Sequence, residues 1–128
     1  MFTNFIKNLR VNRVVGYFIV ADLILFSGWG LVSPIFSIFV VDRIADATLV
    51  NVGIGAAAYW IIKSFVQLPL GQFLDRKKNE RLSLYVLLSG LLLTSFSAFA
   101  FIFITATWHL YLIQLLHGLG MAFYVISW

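Results

Sequence analysis

The chain contains no cysteine. Disulfides, thiol catalysis and every metal site built on thiolates are therefore excluded. Charge is also scarce: 11% of the 128 residues are Asp, Glu, Lys or Arg, and only five are acidic. No paired carboxylates, GxxxxGK loop or HExxH pair appears, so nothing points to a soluble catalytic domain, an enzyme or a bound cofactor. The two histidines, His109 and His117, are eight positions apart and offer no local chelating pair, so no metal is expected.

What fills the chain instead is oil. Hydrophobic residues make up 62% of it, arranged as four long runs at about residues 14–41, 49–74, 82–107 and 108–128. A hydrocarbon core of about 30 Å needs about 20 helical residues at 1.5 Å each. The first three runs exceed that length, so tilting, kinking or extension beyond the lipid is expected. Barrel strands are shorter and alternate apolar with polar, a pattern missing here. The fold class is all-α: a multi-pass helical protein with four spans and a lipid bilayer as its first partner.

Orientation comes from the basic residues. Lys7, Arg10 and Arg13 precede the first run, and Arg76, Lys77, Lys78 and Arg81 separate the second from the third. The two other connections carry Arg43 alone. Short loops rich in Lys and Arg stay in the cytoplasm, so the amino terminus is expected inside a plasma (inner) membrane. The net charge of +4 reflects this topology and not nucleic-acid binding, because the basic residues flank spans and build no stacking platform. The first run is about twice as long as a cleavable signal segment and reads as a retained helix.

Residues 1–13 form a basic lead-in in which Phe2, Phe5 and Ile6 suit the lipid interface. Pro34 predicts a bend near residues 30–34 of the first helix, and Pro69 lies near the inner end of the second. Residues 42–48 form an external loop. The second helix opens with Gly53, Gly55, Ala56, Ala57 and Ala58, small residues that let helices approach closely; Gly53 and Ala57 are the packing candidates there, with Gly118 and Gly120 on the fourth. Ser89, Thr94, Ser95 and Ser97 of the third helix are read as bonding back to the preceding turn. Thr107, Trp108 and His109 are expected to form an interfacial turn before the fourth helix.

Residues 75–81 make a charged inner turn. The stretch Gly71-Gln72-Phe73-Leu74-Asp75-Arg76-Lys77-Lys78-Asn79-Glu80-Arg81 resembles the signature of the major facilitator superfamily, a glycine, three residues, then Asp-Arg and further basic residues. Lys78 stands where that signature has a second glycine. Gln114-Leu115-Leu116-His117-Gly118-Leu119-Gly120 is similar to the family's fourth-helix pattern, with Gln114 in place of an arginine. The resemblance covers essentially the whole chain and about the first third of a twelve-helix transporter. It implies alternating access around a central site, with Gly71, Asp75 and Arg76 as a conformational latch. It further implies that the chain is a fragment, inactive alone, whose partner is the missing remainder of the transporter.

Asp22 and Lys63 lie inside apolar runs, where a lone charge costs at least about 2.5–3.5 kcal/mol. They are the candidates for ion pairing or proton coupling. Counted from Val14 and Gly71, both fall about 12 Å from the inner ends, so they are expected level. Snorkelling of Lys63 to the headgroups is the plainer alternative. Tyr59, Trp60 and Gln67 share the face of Lys63, and Gln114, His117, Met121 and Tyr124 recur along one face of the fourth helix. Of these, Tyr59, Gln67, Gln114, His117 and Tyr124 are cavity-lining candidates, with interhelical packing as the alternative for each. The expected function is transport of a small solute, with protons as a candidate coupling ion. Two alternatives stand: a small dimeric four-helix multidrug/proton exporter with Asp22 as its acidic residue, and a non-transporting membrane subunit or assembly factor.

Overall fold

The computed structural model describes residues 13–127. The lead-in residues Phe2, Phe5, Ile6, Lys7 and Arg10, and Trp128 at the other end, lie outside the described residues. Four helices follow in order: α1 (Arg13–Arg43), α2 (Leu49–Lys77), α3 (Glu80–Ala100), continued by a 3-10 turn at Phe101–Phe103, and α4 (Thr107–Ile126). No strand occurs among the described residues. All four helices are long and apolar enough to cross a membrane. Pro34 and Pro69 both sit inside uninterrupted helices.

The chain divides into two compact units, Met1–Phe36 and Ser37–Trp128. The described part of the first is a single stretch of α1. Most of its large apolar side chains are open, Tyr17 at 75% and Leu31 at 74% exposure among them. Such a surface suits acyl chains and not water.

In the second unit α4 is the central element, packed along both α2 and α3. Two faces of α4 serve the two neighbours. A Cβ built on Gly55 of α2 would stand 3.4 Å from Gln114 Cγ and 3.5 Å from Leu110 Cγ, and one on Gly118 would stand 2.6 Å from the Tyr59 carbonyl. Leu110, Gln114 and Gly118 are spaced four apart, one stripe of the helix. Towards α3, a Cβ on Gly120 would meet Thr94 Oγ1 at 2.7 Å. With no water to drive helices together, van der Waals contact between bare backbones is the main attraction, and a glycine is what permits it.

The stripe of α2 that faces α4 runs through Gly55, Tyr59 and Ile62. Gly53 and Ala57, expected to pack, belong to another face: nothing lies within 4 Å of a Cβ on Gly53, and Ala57 is exposed. The two-residue step from Gly53 to Gly55 turns the helix by about 200°, enough to reverse the facing.

The connections are tight. α2 runs on to Lys77, so Asp75 and Arg76 stand in its last turn and the inner connection shrinks to Lys78 and Asn79. Lys78 adopts the left-handed conformation, φ 45°, and its N–H donates to the Leu74 carbonyl at 3.0 Å. The Asn79 side chain then caps α3, accepting from Arg81 N at 3.0 Å and Leu82 N at 3.3 Å. At the other end of α2, the N–H and hydroxyl of Thr48 both donate to Asn51 Oδ1 at 2.9 Å. Asn51 Nδ2 donates onward to the Tyr111 hydroxyl of α4 at 3.0 Å. Arg43 reaches the Ile102 carbonyl at 3.2 Å, and the fully buried Val40, Ile104 and Leu110 lie in this same unit.

The third helix ends earlier than its apolar run. Residues 104–106 leave the helix, with Ile104 and Ala106 extended, and Thr107, Trp108 and His109 open α4 instead of forming the turn. Ile104, Thr105 and Thr107 are β-branched, and such side chains lose rotamer freedom in a helix. His109 Nδ1 accepts from the Thr105 N–H at 3.5 Å across this corner.

Candidate functional site

Lys63 is the midpoint of α2. Fourteen residues separate it from Leu49 and fourteen from Lys77, about 21 Å each way at 1.5 Å per residue. The helix continues for six residues past Gly71, so Lys63 is central along it instead of nearer its inner end.

Aromatic rings surround it. The Nζ is 4.7 Å from the Trp60 ring centroid and 5.7 Å from that of Tyr59. The electron-rich faces of the rings attract the cation where water is scarce. The two rings meet edge to face, with centroids 5.2 Å apart and planes at 83°. Tyr59 also packs against the imidazole of His117 on α4, with centroids 5.5 Å apart and planes tilted by 32°. Gly118 permits this, since any side chain there would collide with the Tyr59 backbone. Within the described part of its own unit, Lys63 has no ion pair with a carboxylate.

The other polar residues of α4 are packed. His117 is 5% exposed, Tyr124 5% and Gln114 9%, each at a helix–helix contact and not on an open wall. Gln67 is half-buried on α2. Thr94, expected to bond back to its own helix, does not: its Oγ1 is buried and without a hydrogen-bond partner among the described residues. Ser89 and Ser97 do bond back, to the Val86 carbonyl at 2.8 Å and the Leu93 carbonyl at 2.7 Å. Sequence reasoning did not single out Gly90, and it named Gly55 without choosing it as a packing residue. The small-residue signal was present at the two glycines, but their facing was not.

Asp22 belongs to the first unit. It is half-buried beside an open groove of about 500 Å³ lined also by Ile19, Leu23, Phe26 and Ser27. Asp22 and Lys63 thus fall in separate units, and each is described in its own setting. Of the expected latch, Gly71 lies against the end of α4, where its Cβ would stand 3.2 Å from Ile126 Cδ1. The Asp75 and Arg76 side chains are exposed and make no hydrogen bond or ion pair with another described residue. No cluster of three or more His, Asp or Glu able to hold a metal occurs among the described residues.

In comparison with known proteins, no family model, no curated protein and no solved structure matches the chain.

Proposed function

We propose that the chain is part of a multi-pass secondary transporter, resembling the amino-terminal portion of the major facilitator superfamily, that moves a small solute by alternating access. The observation that carries this reading is the inner end of α2. There Gly71 sits against α4, while Asp75 and Arg76 project from the last helical turn with no partner in the described residues. A carboxylate in that position suits the positive amino-terminal end of another helix, which is what a latch between two rocking bodies needs. The left-handed backbone of Lys78 supports the same reading, because it falls where the family's signature has a glycine. The exposed small-residue face at Gly53, Ala56 and Ala57 offers a further helix a close approach.

In this reading the amino terminus and the turn at Lys78 face the cytosol. Asp22 carries the coupling proton, and Lys63 and its aromatic neighbours lie on the solute path. A second reading, the small dimeric exporter, draws on the open groove beside Asp22.

The test is solute-dependent proton movement. The protein from its full reading frame is reconstituted with an internal pH-sensitive dye and challenged with a panel of organic acids, organic cations and sugars. Proton flux with at least one solute, lost in Gly71→Leu and Asp75→Asn, is the expected result. No solute-dependent flux across the panel would end the transport reading.

A further inference from the structure

A cation at the middle of a membrane-crossing helix needs a reason to be there. Insertion costs at least about 2.5–3.5 kcal/mol, so such residues belong to cavities, pathways or pairs. Lys63 occupies that position, half-buried, with rings and no carboxylate around it in its own unit. The rings attract its charge but do not neutralise it. Trp60 keeps 59% of its surface open, so one side of the Lys63–Trp60 pair remains accessible to a ligand.

We infer that Lys63, Trp60 and Tyr59 form an intramembrane recognition site for a small monoanionic organic acid, whose carboxylate meets the Lys63 ammonium and whose apolar body lies on the Trp60 ring. The charge follows from arithmetic at the site. One ammonium is present, and the nearest other cation along α2, Arg76, is thirteen residues away, about 20 Å. A monoanion leaves the pair neutral in a medium of low dielectric, whereas a dianion such as a phosphate monoester would leave a buried charge uncompensated. The apolar body follows from the wall, which is made of the Trp60 and Tyr59 rings. Mid-helix placement, about 21 Å from either helix end, favours a small acid over a lipid headgroup as the occupant. His117 is a positioning residue. Packed behind Tyr59, it fixes the ring that Lys63 rests on.

The site deepens the transport reading and rests on it only for the statement that the acid is carried. Binding can be read separately. Trp29, Trp108 and Trp128 are replaced by Phe, which leaves Trp60 as the sole indole of the chain in lipid nanodiscs. Its fluorescence is followed on titration with benzoate, acetate and the neutral isostere benzamide. Saturable change with benzoate, at least tenfold weaker with acetate and with benzamide, is expected. Lys63→Met should weaken benzoate at least tenfold while Lys63→Arg retains it, with helical circular dichroism unchanged in both. Equal responses to benzoate and benzamide, no saturable response to either acid, or a response that survives Lys63→Met would each overturn the site. Lys63-dependent binding without flux in the full protein would retire transport and keep the site. Flux without such binding would do the reverse.

Discussion

Gly90 of α3 and Gly120 of α4 meet backbone to backbone. A Cβ on Gly90 would stand 2.7 Å from the Gly120 carbonyl oxygen, and one on Gly120 would stand 3.1 Å from that of Gly90. The contact is reciprocal, so the two helices are as close as their main chains allow. Carbonyl oxygens so near glycine α-carbons gain weak C–H···O attraction in addition to dispersion.

This closeness predicts an asymmetry among glycines. Gly90→Ala and Gly120→Ala force the helices apart and should each destabilise the α3–α4 pair by about 1–3 kcal/mol. Gly53→Ala, with open space around it, should change stability by less than about 0.5 kcal/mol. Unfolding in mixed micelles, followed by circular dichroism, checks all three.

Asn51 links two elements, bonding Thr48 at the start of α2 and the Tyr111 hydroxyl of α4. Tyr111→Phe removes only the second link and should cost about 0.6 kcal/mol, the usual size of an interhelical bond in membranes. Asn51→Ala removes both and should cost about 1–2 kcal/mol. A double-mutant cycle in the same unfolding assay isolates the shared term.

Lys78 holds a left-handed conformation that ordinary side chains adopt at a cost. Lys78→Gly should therefore stabilise the α2–α3 hairpin by roughly 0.5–1 kcal/mol, less whatever the freer unfolded chain takes back. Lys78→Val should destabilise it, because β-branching resists this backbone. Thermal unfolding midpoints in detergent rank the three.

If Asp22 carries the coupling proton, Asp22→Asn in proteoliposomes with an imposed pH gradient should lose gradient-driven uptake at least tenfold while keeping downhill exchange. Unchanged proton-coupled flux would take Asp22 out of the coupling step.

The helices were legible because each apolar run is long, but the six residues by which α2 runs on past Gly71, and with them the central place of Lys63, were not. Rotation was not legible. Gly53 and Gly55 look alike in sequence, yet only Gly55 faces α4; Thr94 looks like Ser97, yet only Ser97 bonds its own helix. Which way a membrane helix turns is decided by its neighbours, and the same oil covers both lipid-facing and packed surfaces. The end of α3 escaped for a related reason, since the extended residues 104–106 are as apolar or small as the helix before them. Asp75 and Arg76 were found by pattern, but their place on a helical turn became clear only once α2 was seen to reach Lys77.

The absence of cysteine makes the central claim directly measurable, because one introduced thiol is the only thiol in the chain. Ala45→Cys and Glu80→Cys, both at exposed positions, are treated in intact cells with a membrane-impermeant maleimide. Four spans with the turn at Lys78 inside predict labelling of Ala45→Cys from outside, and of Glu80→Cys only after the membrane is opened. Labelling of Glu80→Cys in intact cells, or recovery of the chain in the soluble fraction without detergent, would contradict the account.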